Sequence, residues 1–547
     1  MILHFLWKKN RKYFALALLT TVLFATYQLS IAQLVYYDMK LVEKWISFHV
    51  GWFIFINLGT FVLICFLNVI SQIYTEKFYA SSQNLLNQAV FSHLLHLRIP
   101  ALKEHFKLSE IASLFNNDIP LMIRSYLRPM DSVVYFISSF LLGSAFSLLL
   151  NYWLFLYLIV ISLLALWITK VMTKQLGSKQ KKYNRSLAVI IAALNNCFGK
   201  FSLVKIFHAE PVMMYQFQSA NQQIADKMLQ VNLSKGYVTV VNDACGWMIK
   251  IGLYAIGVPM ILYRQLDVAT LIAIGQATDT ITTPIFWFAS TFAQLASTHD
   301  IRQDLGACLV DSHETTPDSK KIDGSIQTIC FENVSYAYPQ GAAVLEHVNV
   351  HLEQGKTYAL VGENGSGKST FLKLLTKEIE PTSGHIWINQ HPLAQISDAE
   401  YFERLAIMPQ KVALFQGTVA DNVTLFAPVD QSKFQVTIQR LGLEALDLTA
   451  EIGEIEEQLS GGQAQRVAIA RALYAERELI VCDEPLSAVD SAAASKILDV
   501  LLHLDGRTVV MSLHHAQPEL LQQFDAVLSF DQRQIHVKKR EAAAQQD

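Results

Sequence analysis

The nine residues from Gly362 to Thr370 admit few folds. The stretch contains Gly362, Asn364, Gly365, Ser366, Gly367, Lys368, Ser369 and Thr370, and it lies between two apolar runs of different character. Tyr358 to Val361 suits a buried strand, and Phe371 to Leu375 suits a helix that opens at Lys368. Strand, glycine-rich loop and helix in that order are what a phosphate-binding loop requires. Gly362, Gly365 and Gly367 let the backbone bend sharply and aim successive N–H groups inward, at the positive end of a helix. Lys368 would then reach the β- and γ-phosphates of a nucleotide, and Ser369 would hold Mg²⁺.

Composition separates this part of the chain from the rest. Of 547 residues, 52% are hydrophobic and only 17% charged, and the mean hydropathy is +0.27. That is too apolar for an ordinary soluble enzyme and too polar for a chain embedded throughout in lipid, so a split protein is expected. A net charge of −3 lacks the basic excess of a nucleic-acid binder, and none is expected as a partner. The six cysteines are scattered, with neither metal-ligand spacing nor a disulfide framework.

The apolar residues gather in the N-terminal half. Stretches from about Phe14 to Tyr37, Ile46 to Ile73, Val133 to Leu150, Trp153 to Val171, Ala244 to Leu262 and Val268 to Leu295 give roughly six spans. Lys8, Lys9, Arg11 and Lys12 precede the first, and two long loops, near 76–131 and 172–242, carry most of the remaining positive charge of this half. That asymmetry puts both termini and the long loops in the cytoplasm. The loops are rich in helix formers and are expected to continue the membrane helices as helical hairpins. The expected division is a transmembrane domain over 1–311, a polar linker over 312–325 and an α/β domain over 326–547.

Further motifs lie downstream. Leu459 to Gln463 contains Ser460, Gly461 and Gly462, and the apolar run Leu479 to Cys482 delivers Asp483 and Glu484 at its end. In order and spacing these resemble the nucleotide-binding domain of an ATP-binding cassette (ABC) protein; with the N-terminal half, the whole chain resembles a half-transporter of the exporter-type fold. The resemblance implies an ATPase coupled to transmembrane transport, with ATP and Mg²⁺ as cofactors. It assigns Tyr338 to adenine stacking, with Tyr336 as the weaker candidate, and Gln410 to a loop joining Mg²⁺ and attacking water to the membrane half. It assigns Asp483 to Mg²⁺ through water, Glu484 to general base, Asp490 to a loop crossing a dimer interface, and His514, beside His515, to the switch histidine. Ser109 to Asp118 and Leu203 to Glu210 resemble the family's coupling segments.

In this family Ser460, Gly461, Gly462 and Gln463 of one cassette would complete the site of another. The resemblance therefore implies a second half-transporter chain, as a homodimer or as a heterodimer with two competent sites, within membrane lipid, most naturally the bacterial inner membrane. One departure is the segment Gly453 to Glu456, where the family's second glycine is replaced by Glu456. The expected function is ATP-driven export of a small molecule, peptide, lipid or thiol. Import of a siderophore-like molecule by the same fold, or a non-transporting regulator, are the alternatives.

Two charges sit inside the expected spans. Lys250 and Asp279 lie about 15 and 14 residues from Gln265 in the outer turn, which is roughly equal depth in an antiparallel hairpin. They are expected to form either a helix-locking ion pair or part of a polar substrate site with Gln276, Thr278, Thr280, Thr282 and Thr283.

Overall fold

The computed structural model describes all residues except 1, 44–49, 310–319, 340, 450, 453–458, 488, 515–516 and 541–547. Segment 453–456, His515 and residues 312–319 of the expected linker therefore lie outside the described residues. The chain divides into two compact units: Met1–His93 with Leu108–Asp311, and Leu94–Lys107 with Ser312–Asp547.

The first unit is helical. Arg11–Glu43, Val50–His96, Arg128–Leu150, Tyr152–Phe198, Glu210–Leu262 and Val268–Ser297 follow the six expected apolar stretches. Among the described residues, five helices are long and apolar enough to cross a membrane. The sixth, Val268–Ser297, falls outside that group because Gln276, Asp279 and several threonines dilute its apolar residues. The second long loop continues the membrane helices without a break on either side: one helix runs from Tyr152 to Phe198, and the next long one starts at Glu210. Between them lies a short helix, Phe201–Ile206.

Helix contacts follow from small and polar side chains. On Arg128–Leu150 the residues Asp131, Tyr135, Ser139, Gly143 and Ser147 recur every fourth position and so share one face. Along it Thr21 Oγ1 donates to Asp131 Oδ1 at 2.7 Å, Tyr135 Oη donates to Gln28 Oε1 at 2.5 Å, and Ser139 Oγ donates to the Thr280 carbonyl at 3.1 Å. A methyl group on Gly143 would meet Thr280 Oγ1 at 2.1 Å, so this glycine allows the third and sixth spans to approach closely.

The second unit contains two main sheets. One is antiparallel and ordered Ala343–Glu353, Thr328–Ala337, Ser383–Ile388, His391–Pro392. The other, of six strands, runs Gln534–Lys539, Ala526–Asp531, Thr357–Gly362, Thr508–Ser512, Leu479–Asp483, Leu405–Met408. Apart from the antiparallel edge at Gln534–Lys539, its strands are parallel, which explains their unbroken apolar character: both faces are covered. On one face Phe371 stacks on Phe331, with ring centroids 4.5 Å apart, and meets the edge of Phe530, tying the two sheets together. On the other, Val467, Ile469 and Leu473 of helix Gly461–Tyr474 and Ile497 and Leu501 of helix Ser491–Leu502 fill the core.

The inner-loop segment that groups with this second unit is Leu94–Lys107, not the expected Ser109 to Asp118. Arg98 is extended and Pro100 opens a new helix, Ile99–His105, which ends where Phe106 is extended again. These breaks detach the segment from the long helix before it. Within the unit, Lys103 Nζ lies 2.6 Å from Glu378 Oε2. Leu108–Ser113, by contrast, leads through two π-helical turns, Leu114–Asp118 and Ile123–Leu127, into the third span and belongs to the first unit.

Candidate functional site

The strand Thr357–Gly362 is held at its start by a reciprocal clamp. Asp525 Oδ2 accepts from the Thr357 amide at 2.9 Å and from Thr357 Oγ1 at 3.0 Å, while Thr357 Oγ1 accepts from the Asp525 amide at 3.1 Å. Partial burial opposes ionisation of Asp525, but the Thr357 hydrogen bonds and nearby Lys356 outweigh it and hold this carboxyl below the usual range. At its other end the strand opens into the loop. Gly365 and Gly367 there have φ of 81° and 105°, values costly to any residue with a Cβ. Gly367 is also the N-cap of helix Lys368–Leu375, so the loop's N–H groups stand at the positive end of that helix.

One cleft of about 490 Å³ gathers the side chains that the sequence scatters over 177 positions: Tyr338, Asn364, Lys368, Ser369, Thr370, Gln410, Glu484 and His514, together with Gly365, Ser366 and Gly367. That volume suits a small organic ligand. Lys368 is nearly buried and donates to the carbonyls of Gly362 and Glu363 at 2.6 and 3.0 Å, an arrangement that keeps its ammonium beside the loop. Tyr338 is 40% exposed with its hydroxyl 3.4 Å from Thr370 Oγ1, whereas Tyr336 is 9% exposed and packs edge-on against it. Of the two aromatic candidates, only Tyr338 lines the cleft.

Glu484 stands at the end of strand Leu479–Asp483 in the left-handed region, with φ of 51°, an uncommon conformation for a residue with a long side chain. Three contacts hold it there. Its amide donates to Ser512 Oγ at 2.8 Å, its carbonyl accepts from Gln465 Nε2 at 3.2 Å, and its carboxylate accepts from Gln410 Nε2 at 3.0 Å. Ser512 Oγ in turn donates to Asp483 Oδ1 at 2.6 Å. Across the cleft, His514 Nε2 lies 2.8 Å from Asn364 Oδ1. Ser512 and Gln465 do not figure among the motif residues. Their signal is a polar residue in an otherwise apolar buried pattern, since both are at most 2% exposed.

Seven of the predicted nucleotide-site residues do not line this cleft: Gly362, Ser460, Gly461, Gly462, Gln463, Asp483 and Asp490. Ser460 and Gln463 form a capping box at the start of helix Gly461–Tyr474: Ser460 Oγ accepts from the Gln463 amide at 3.3 Å, and Gln463 Oε1 accepts from the Ser460 amide at 2.9 Å. Gly461 and Gly462 are the first residues of that helix. Asp490 likewise caps helix Ser491–Leu502 by accepting from the Ala493 amide at 2.9 Å, a bond that lowers its carboxyl below the usual range. The expected Mg²⁺ donors, Ser369, Gln410 and Asp483, present hydroxyl, amide and carboxylate oxygens, a hard-donor set that suits this ion. No cluster of three His, Cys, Asp or Glu side chains able to hold a metal occurs among the described residues. The fit is thus to an ion held largely by phosphate and water.

In the membrane unit Lys250 Nζ and Asp279 Oδ2 pair at 3.0 Å, as their equal depth suggests, and both side chains remain partly exposed in the single chain.

Known proteins place these features in context. A model of the ABC transporter transmembrane region matches residues 13–285, and the ABC transporter model matches residues 345–487. The glutathione/L-cysteine transport system ATP-binding/permease protein CydC of Escherichia coli (strain K12) is 33% identical over 229 residues, 40% of this chain and 39% of that protein. The ATP-dependent lipid A-core flippase of Salmonella paratyphi A is 28% identical over 63% of this chain and 61% of its own length. In both cases less than two thirds of the relative is spanned. The flippase of Alcanivorax borkumensis is 26% identical over 82% of this chain and 78% of its own length. In fold, the chain is similar to a bacterial Atm1-family ABC exporter with ATP bound, with a TM-score of 0.79 over 97% of this chain and 95% of that one, at 19% identity. Membrane model and ATPase model follow one another and together match most of the chain, and the protein belongs to the ABC transporter family, in the half-transporter form that fuses one membrane domain to one ATPase domain.

Proposed function

We propose that the protein is one half of an ATP-driven exporter in the bacterial inner membrane, with its termini and ATPase domain in the cytoplasm. The observation that carries this reading is the single cleft in which Tyr338, the loop residues Asn364 to Thr370, Gln410, Glu484 and His514 converge. In it Tyr338 stacks on adenine and the loop amides and Lys368 hold the phosphates; Ser369 and Gln410 of the cleft, with Asp483 next to Glu484, would hold Mg²⁺, which would supply charge neutralisation. Glu484 accepts a proton from the attacking water, and His514 steadies the γ-phosphate from the opposite wall.

The same cleft lacks the signature residues of its own chain, which supports a second chain. Gly461 and Gly462 begin a helix whose positive end, beside the capping box of Ser460 and Gln463, can meet a phosphate held elsewhere. Asp490 belongs to the loop that crosses the dimer interface. The exposed apolar side chains of Phe198, Phe201, Leu203, Ile206 and Phe207 at the tip of the second inner loop suit a docking contact with a partner cassette. Closure of two cassettes on ATP and their release on hydrolysis would alternate the membrane halves between inward- and outward-facing states. The named relatives handle glutathione and L-cysteine or lipid A-core, and a small molecule, peptide, lipid or thiol is the cargo class proposed here.

The test is hydrolysis and transport by the full chain, with any co-purifying partner, in sealed vesicles with the ATPase domain outward. ATP-dependent accumulation of cargo inside the vesicles, lost in Glu484→Gln, is expected. Hydrolysis unaffected by that substitution would overturn the assignment of the site.

A further inference from the structure

From Ala269 to Thr282 the sixth span is buried within its own chain on all but one face. Ala273, Ile274, Gly275, Ala277, Thr278, Thr280, Ile281 and Thr282 are covered by the neighbouring helices, while Gln276, Asp279 and Trp287 are exposed and Thr283 is half-buried. Positions 276, 279, 283 and 287 recur at helical spacing and form one stripe. Asp279 lies about 16 Å from the outer end of this helix at Val268, and Lys250 about 18 Å from the outer end of its own at Leu262, both at 1.5 Å per residue. In a hydrocarbon layer about 30 Å thick this is close to the middle. Yet the Asp279 side chain is 64% exposed and that of Lys250 36%. A carboxylate at that depth does not face lipid tails, so the stripe faces water or a second chain.

An ion pair that served only to lock two helices would gain from being wrapped by them, since solvent weakens it. This one is open on the side that the rest of the sixth span avoids. Around it the fifth span contributes Trp247 and Tyr254 on the same helical face as Lys250, and both are exposed. Tyr254 is positioned by a glycine: a methyl group on Gly275 would meet its hydroxyl at 2.6 Å, so the ring lies across the backbone just before Gln276.

We infer that Lys250, Asp279, Gln276 and Tyr254 form a binding site for a small zwitterion, a molecule with an ammonium and a carboxylate close together as in an α-amino acid or short peptide. The inference rests on the exporter reading above and names its cargo class. Lys250 takes the carboxylate, Asp279 takes the ammonium, and the two side chains exchange their mutual bond for bonds to the cargo. Only a zwitterion leaves no charge uncompensated in the exchange. A single anion or cation would separate the pair and leave Asp279 or Lys250 without a counterion in a poorly solvated place. Trp247 and Tyr254 offer an apolar wall for the uncharged remainder.

The experiment uses the full chain with its native partner in lipid nanodiscs and reads ATPase rate as a ratio to the unstimulated rate of the same preparation. The probes are a pool of neutral α-amino acids and their di- and tripeptides, the same pool N-acetylated, and the same pool as methyl esters. Stimulation by the free pool, with half-maximal concentrations about tenfold or more higher for the two blocked pools, is expected. The double variant Lys250→Met/Asp279→Met removes both charges together and is expected to lose the stimulation. Lys40→Met/Asp267→Met, which removes another interspan ion pair at the outer end, keeps it. If the first variant does not assemble, Asp279→Asn is read in its place, with the same expectation.

Equal stimulation by blocked and free pools, or none by the free pool on a wild-type protein with basal hydrolysis, overturns the zwitterion site and leaves the exporter reading standing. Absence of any Glu484-dependent hydrolysis overturns the exporter reading itself.

Discussion

Ser512 Oγ donates to Asp483 Oδ1 at 2.6 Å from the neighbouring parallel strand, and the same oxygen accepts the amide of Glu484 at 2.8 Å. One hydroxyl therefore fixes both the carboxylate expected beside Mg²⁺ and the backbone of the expected base. Because Ser512 is fully buried, it acts on the reaction only through these two neighbours. Ser512→Ala is expected to lower kcat roughly 10- to 100-fold, the scale of a small misplacement of reacting groups, with KM for ATP little changed. Steady-state kinetics that show a rise in KM with unchanged kcat would contradict this positioning role.

Glu484→Gln separates charge from geometry. The amide keeps a carbonyl oxygen within reach of Gln410 Nε2, now 3.0 Å from the carboxylate, and keeps the strained backbone and its contacts with Ser512 and Gln465. It cannot take a proton. Hydrolysis is expected to fall by about 10²- to 10⁴-fold while equilibrium binding of ATP is retained, and measurement of both on one preparation checks the claim.

Tyr336 and Tyr338 are told apart by burial. Tyr338→Ala removes an exposed ring beside the loop and is expected to raise KM for ATP about 3- to 10-fold, whereas Tyr338→Phe keeps the face and stays near wild type. Tyr336→Ala instead opens a cavity in the core of the ATPase domain and is expected to cost about 2–4 kcal/mol of stability. Kinetics and thermal denaturation of the three variants distinguish the roles.

Much of this architecture was legible because physical lengths dictate it. Bilayer thickness sets the run of apolar residues, and the strand, loop and helix around Gly365 and Gly367 follow from backbone bending alone. Lys250 and Asp279 met because equal residue counts from one turn give equal depth. Ser512 and Gln465 were not legible, since their roles arise from contact across elements that are distant in sequence. Their only trace is polarity in a buried pattern. The inner-loop segment that groups with the ATPase domain, Leu94–Lys107, precedes the Ser109 to Asp118 stretch that the resemblance points to, and its local signal is Pro100 in the first turn of helix Ile99–His105.

Asp525 gives the ATPase domain a pH-dependent clamp at the strand that leads into the phosphate loop. Its folded-state pKa is depressed: partial burial opposes ionisation, but the Thr357 amide and hydroxyl and Lys356 prevail. A depressed carboxylate contributes stability that is complete above its unfolded value, about 3.9, and is lost as pH falls through the lower folded value. Asp525→Asn is therefore expected to destabilise the domain by roughly 1–2 kcal/mol near neutral pH, the scale of hydrogen bonds to a charged group at a half-exposed site. The gap between variant and wild type should narrow as pH drops below about 4. Thermal denaturation across that range checks the sign, and a gap that widens in acid would reject the clamp.

The position of Ser460 outside its own chain's cleft leads to a division of labour that substitution can expose. Lys368 donates within the phosphate loop, so Lys368→Ala is expected to remove ATP binding by the chain that carries it. Ser460 caps helix Gly461–Tyr474 and does not line that cleft, so Ser460→Arg is expected to leave binding to its own chain within about twofold while it stops hydrolysis through steric and charge disruption of the partner's closure. When two copies pair, a chain carrying Lys368→Ala and a chain carrying Ser460→Arg place both lesions in one site and leave the other intact. Co-expressed with different affinity tags and purified through both, such mixed dimers should regain hydrolysis that neither variant shows alone. Well-folded mixed dimers that stay inactive would mean that one intact site cannot turn over by itself. If no doubly tagged dimer forms, the missing half of the site belongs to a different chain.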